Sequence, residues 1–237
     1  MTPAHRWPAR TICSQAERAP AGDVCATLWP TRSLQTPLRW FDELYFWADG
    51  FEPTPLQWSR IQLLAMDQAL AMLAREESEQ VGVTLSYGTV QKFDEHIDRK
   101  LRAHALVAHR LVVLLRGSIE LARSPYRIRA FADHLRSQQI AVGMRVSAPR
   151  MAMEMGAFSL VEPQFAKVLA PASDRNEVWH NMAVEARVAG VAEQWLIVAG
   201  LQTPGQVTQA RAMGAGFGQG TAVRAPQAPE PRVSGRS

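Results

Sequence analysis

The glycine-rich run "GAGFGQG" (Gly214–Gly220) is the segment whose composition comes nearest to a phosphate cradle. It lacks the Lys-Ser/Thr pair of a P-loop and opens no helix, so it reads as a closely packed last strand. His96, His104, His109, His134 and His180 have no metal-ligand spacing and no HExxH pattern. They fall in or beside helical stretches and read as surface or half-buried histidines. No Gly-x-Ser-x-Gly elbow occurs, and Cys13 and Cys25 lie away from plausible strand ends, so nucleophilic catalysis has no support. The acidic runs Glu76, Glu77, Glu79 and Asp94, Glu95, Asp98 read as solvated helix faces.

Any chemistry must therefore come from side chains that the fold gathers. Short apolar runs recur at Cys25–Trp29, Leu44–Trp47, Val81–Leu85, Leu111–Leu115, Ile140–Met144, Phe158–Val161, Trp195–Ala199 and Gly216–Gly220. Most are β-branched or aromatic and too short for buried helices, so they predict strands. Helical spacing fills the gaps at Ser59–Ser78, Asp94–Val107, Tyr126–Gln138, Asp174–Ala189 and Thr203–Met213. Ser59 with Gln62 is the expected capping box of the first helix, and Pro204 suits a first helical turn. Eight strands alternating with helices predict one α/β barrel, with a doubly wound sheet as the alternative.

Charge excludes some functions. The chain has 237 residues and a formal charge of +4, but residues 1–22 and 221–237 each contribute +2 and the stretch 23–220 is neutral. No nucleic-acid surface is expected from a neutral body. Both ends read as disordered tails flanking a 23–220 domain. No apolar run is long enough to span a membrane, and two cysteines make no disulfide framework, so a cytoplasmic protein is expected.

Read in order, several segments resemble the EAL family of cyclic di-GMP phosphodiesterases. "DELYFW" (Asp42–Trp47) is similar to the signature "EALLRW", and "LAMDQALAML" to the first long helix. "VTLSYGTV" resembles "VNLSP", "LVVLLRGS" resembles "LVLEITES", and "IAVGMRV" sits where "LALDDFG" is expected. Near the end, "LIVAGLQT" resembles "VVAEGVET" and "MGAGFGQG" resembles "LGCDYAQG". The resemblance runs from about Cys25 to Gly220. It implies a TIM-like (β/α)8 barrel with an irregular first strand, and hydrolysis of cyclic di-GMP by a pair of Mg or Mn ions at the C-terminal strand ends.

Carried over position by position, the resemblance puts the signature glutamate at Asp42 and the following arginine at Phe46. The asparagine becomes Thr84, a glutamate becomes Leu114, and the paired aspartates become Gly143 and Met144. The lysine region reads Leu160-Val161-Glu162, keeping an acid at Glu162 without the lysine, while two late glutamates become Ala199 and Gln202. A pair of hard cations needs several converging carboxylates, so no metal and no catalysis are expected, with Asp42 and Glu162 as vestiges. The first expectation is an inactive EAL-like domain that regulates by binding a protein, a transcription or motility regulator. The alternative is a cyclic di-GMP receptor without hydrolysis that uses Leu44, Gln219, Arg116 and Arg145, and a residual phosphodiesterase is the third reading. Met151 and Met155 share a helical face where the family forms dimers, so packing or a homodimer contact is read there.

Overall fold

The structure, a computed structural model, describes residues 5–8, 21–117, 125–146, 160–172 and 175–223. Eight strands close into a ring: β2 (Asp23–Ser33), β3 (Arg39–Asp49), β4 (Val81–Ser86), β5 (Leu111–Arg116), β6 (Ala141–Arg145), β7 (Phe165–Leu169), β8 (Leu196–Ala199) and β9 (Phe217–Gln219). Strands β3 to β9 run parallel, and β2 is antiparallel to both of its neighbours. This is the expected barrel with an irregular first strand. A short β1 (His5–Pro8) pairs with the start of β2, although the N-terminal tail was expected to carry no regular element.

The turn that joins the long strands β2 and β3 is held by its own hydrogen bonds. Ser33 Oγ accepts the N–H groups of Gln35 and Thr36, each at 3.1 Å, and the Ser33 N–H donates to Leu38 O at 2.9 Å. Pro30 falls where β2 pairs with β3 alone, since β1 reaches only Ala26 and β9 joins at Arg32. A residue with no N–H to donate is tolerated there.

Period-two alternation sorts every strand into two faces. Leu44, Phe46, Val81, Val83, Leu85, Val113, Leu115, Val142, Met144, Val168 and Val198 pack outward into the core shared with the helices. Phe41, Val112, Leu114, Phe165 and Ile197 form a second cluster inside the ring. The helices are α1 (Pro55–Ala74), α2 (Tyr87–Ala103), α3 (Ala105–Ala108), α4 (Pro125–Ser137), α5 (Asn176–Val188) and α6 (Pro204–Ala212). The capping box of α1 is Thr54 with Gln57, not Ser59 with Gln62; Pro55 opens the helix, and Ser59 Oγ turns back to donate to Pro55 O at 3.1 Å. Thr203 and Gln206 form the same box before Pro204.

One strand was misplaced. Leu160 and Val161 are helical, Phe158 lies outside the described residues, and the strand between β6 and β8 is Phe165–Leu169. Met151, Met153 and Met155 also lie outside the described residues. Among the described residues, no helix is long and apolar enough to cross a membrane.

Candidate functional site at the barrel mouth

The N-terminal end of the barrel is closed by rings. Trp40 lies 4.8 Å from Phe165 and 4.6 Å from Phe217, ring centre to ring centre, with Phe41 at 5.2 Å. Glycine at two inward positions makes room for them. A Cβ on Gly82 would lie 2.5 Å from the Phe41 ring, and one on Gly143 would lie 2.3 Å from the Phe165 ring.

One step along the strands the interior turns polar. Glu43 faces inward from β3 and is 1% exposed; it forms an ion pair with Lys167 of β7, which is itself buried. Thr84 Oγ1 donates to Glu43 Oε1 at 3.2 Å. Gln219 donates through Nε2 to Thr31 Oγ1 at 2.6 Å, tying β9 to β2. Burial by itself would raise the Glu43 carboxyl, but Lys167 and Arg145 outweigh it and hold the group below the usual carboxylate range. Burial lowers Lys167, Arg145 adds to that, and Glu43 only partly restores it, so the ammonium sits below the usual lysine range.

Two residues further along the same strands comes the rim. Tyr45, Ser86, Arg116 and Arg145 line a cleft of about 810 Å³, with Trp58 and Gln62 of α1 and Lys92 of α2 on its other wall. The α1 and α2 side is stiffened by hydrogen bonds. The Ser86 N–H donates to Gln62 Oε1 at 2.7 Å, and Ser86 Oγ caps α2 by accepting the Thr89 N–H at 3.2 Å. The Arg145 guanidinium lies over the Tyr45 ring at 5.6 Å, which holds it at the mouth. Among the described residues no carboxylate comes within ion-pair distance of Arg116 or Arg145; the cleft therefore carries positive charge.

The structure rearranges the residues singled out from the sequence. Asp42 lies on the outer face at the start of β3, where it accepts from Arg39 Nε at 2.8 Å and from Ser78 Oγ at 3.0 Å. The inward carboxylate is its neighbour Glu43. Glu162 precedes β7 and so stands at the end of the barrel opposite the mouth, 61% exposed and paired with Arg129 at 2.8 Å. A lysine does face the interior, from Lys167 rather than from the Leu160–Glu162 segment. Met144 points outward; the inward residues of β6 are Gly143 and Arg145. Leu44 packs into the outer core and is also among the residues lining the cleft. Leu114 and Ala199 are buried apolar groups of strands β5 and β8, and Gln202 lies in the loop beyond β8. Arg116 and Arg145 line the mouth, whereas Gln219 is buried in the ring beneath it, bonded to Thr31.

A pair of divalent metals does not fit the donor set of the described residues. Among the described residues Asp42 and Glu43 are the only buried carboxylates, and they sit on opposite faces of one strand. Glu43 is already engaged by an ammonium and a hydroxyl, the side-chain space at Gly143 is filled by Phe165, and among the described residues no group of three or more His, Cys, Asp or Glu could hold an ion.

No protein-family model matches the sequence, and a search of curated proteins finds no match. Solved structures do match. An EAL-domain protein from Listeria monocytogenes superposes with a TM-score of 0.67 at 11% identity, covering 86% of this chain and 88% of that one. The EAL domain of FimX from Xanthomonas citri, in complex with c-di-GMP, gives 0.65 at 14% identity, covering 90% and 91%. The Bacillus subtilis YkuI protein, with an EAL domain in complex with c-di-GMP and calcium, gives 0.64 at 14%, covering 88% of this chain and 56% of its own. With its antiparallel β2 and its closed ring of seven further parallel strands, the chain has the fold of the EAL domains.

Proposed function

We propose that the chain is a non-hydrolytic receptor of cyclic di-GMP, or of a closely similar cyclic dinucleotide, that works in signalling through its barrel mouth. The observation that carries this reading is the charge of the cleft. Arg116, Arg145 and Lys92 line it, while the Glu43 carboxylate beneath them is neutralised by Lys167. A doubly anionic ligand is met by two guanidiniums, each able to bond a phosphodiester through two N–H donors. Half-exposed Tyr45 and Trp58 offer ring faces to the bases. The neighbours crystallised with c-di-GMP support this ligand class at the level of the fold. Without a metal pair to activate water, bound dinucleotide is released intact. The signal then passes to a protein partner, a transcription or motility regulator being the class the resemblance implies.

Calorimetric titration with cyclic di-GMP, with Mg²⁺ and with a chelator, tests the reading beside a turnover assay. The expected outcome is saturable binding of equal strength in both conditions, no turnover, and an affinity loss of about tenfold or more in Arg145→Gln. Metal-dependent turnover, or no heat of binding, would overturn it.

A further inference from the structure

Outside the ring, at the seam where it closes, lies a second and smaller pocket. Strands β2 and β9 share only two residue pairs, Arg32 with Gly218 and Ser33 with Phe217. Against that seam Arg32, Ser33, Thr36, Val207, Arg211 and Val223 line a pocket of about 220 Å³. Among the described residues no Asp or Glu lines it.

Its donors are arranged as if for an acceptor. Arg32 is half-buried, and its Nε–H is buried without a hydrogen-bond partner among the described residues. A buried orphan donor is rare and marks a place where water or a ligand supplies the acceptor. Arg211 reaches from α6 to donate through Nε to Leu34 O at 2.7 Å, which fixes its guanidinium in the pocket wall. Ser33 Oγ already accepts two backbone N–H groups, so its remaining hydrogen-bonding capacity is as a donor. Two guanidiniums and a hydroxyl donor with no carboxylate make a site for a tetrahedral oxyanion.

We infer that this pocket binds a small phosphate-type oxyanion, either the free ion or the phosphate of a small monoester. Its donors come from β2 and from α6, so the anion joins the two elements across the thinnest part of the ring. This inference is independent of the mouth, which lies inside the ring at the strand ends.

Thermal unfolding of the full chain at constant ionic strength, with chloride replaced by inorganic phosphate and then by glycerol phosphate, tests it. An anion that binds only the folded state raises the midpoint with concentration. The expected result is a saturable rise that Arg211→Gln and Arg32→Gln each weaken by about tenfold or more in apparent affinity. The same rise is expected to survive in Arg116→Gln. A rise with phosphate alone assigns the free ion, and a rise with both assigns a monoester-accepting site. Should Arg32→Gln fail to fold, the exposed Arg211 carries the test, read also by ³¹P line broadening. No rise, or a rise unchanged in both seam variants, would sink the inference.

Discussion

The lower and upper halves of the barrel interior are built from the same strands, one inward position apart, and follow opposite rules. On β3 the inward residues are Phe41, Glu43 and Tyr45; on β7 they are Phe165 and Lys167. Phe41 and Phe165 belong to an apolar plug that excludes water and is fitted to within a methyl group by Gly82 and Gly143. Glu43 and Lys167 form a buried ion pair, where two desolvation costs are set against one attraction. The plug contributes to stability wherever its rings meet. The pair matters through what it does to charge: it cancels the central carboxylate and leaves Arg145 and Arg116 to set the sign of the mouth.

Removing one member of the pair gives the largest effect that separates the two halves. Lys167→Met leaves Glu43 buried without its counter-ion and is expected to cost about 3–5 kcal/mol in denaturant unfolding, while Glu43→Gln together with Lys167→Met recovers much of it. The pH dependence follows the same logic. Glu43 has a folded value below its ordinary 4.5, so between the two the unfolded chain binds the extra proton. Stability present above 4.5 is therefore lost as pH falls through that window. Lys167 has a folded value below its ordinary 10.5, so the unfolded chain again binds more protons in that window, and stability rises with pH across it. Both slopes are expected to vanish in the double variant; slopes unchanged there would show that the pair is not what titrates.

The plug responds to volume instead of charge. Gly143→Ala puts a methyl into the Phe165 ring and is expected to cost about 1–3 kcal/mol, partly recovered by Phe165→Leu. Ligand affinity at the mouth should change little, because neither Gly143 nor Phe165 lines the cleft. A loss of binding as large as that of Arg145→Gln would mean that the two halves are mechanically one.

The barrel was legible because seven of its eight strands are apolar runs long enough to stand out from the helical stretches around them. Strand β7 was not. Its run Phe165–Leu169 is interrupted by Lys167, which made the stretch before Pro163 look more strand-like. Yet Pro163 and Pro171 bracket that run, and such bracketing was the available signal. The inward-facing carboxylate lies one residue from Asp42, and the reason it is hard to tell is related. A carboxylate at Asp42 and another at Glu43 look alike in one dimension, but a one-residue shift on a strand exchanges the two faces. Leu44 and Phe46, matched to the helix-facing core, place Glu43 inside. Arg116 and Arg145 could be placed at the cleft because they end strands, which fixes their end of the barrel whatever their exact register; Gln219 ends a strand too but is buried beneath the cleft.

Glu162 gives the smallest expected effect and the sharpest contrast with Glu43. Both are glutamates that meet a cation, yet the side chain of one is 61% exposed before its strand and that of the other 2% exposed within it. Exposed pairs gain little because water competes for each partner and salt screens what remains. Glu162→Gln is expected to leave the unfolding midpoint and the cyclic di-GMP affinity within error of the parent chain. Glu43→Gln should shift both, since it leaves Lys167 without a partner under the cleft. A loss of dinucleotide binding in Glu162→Gln would move the functional end of the barrel to the face opposite Arg116 and Arg145, and the mouth reading would fall with it.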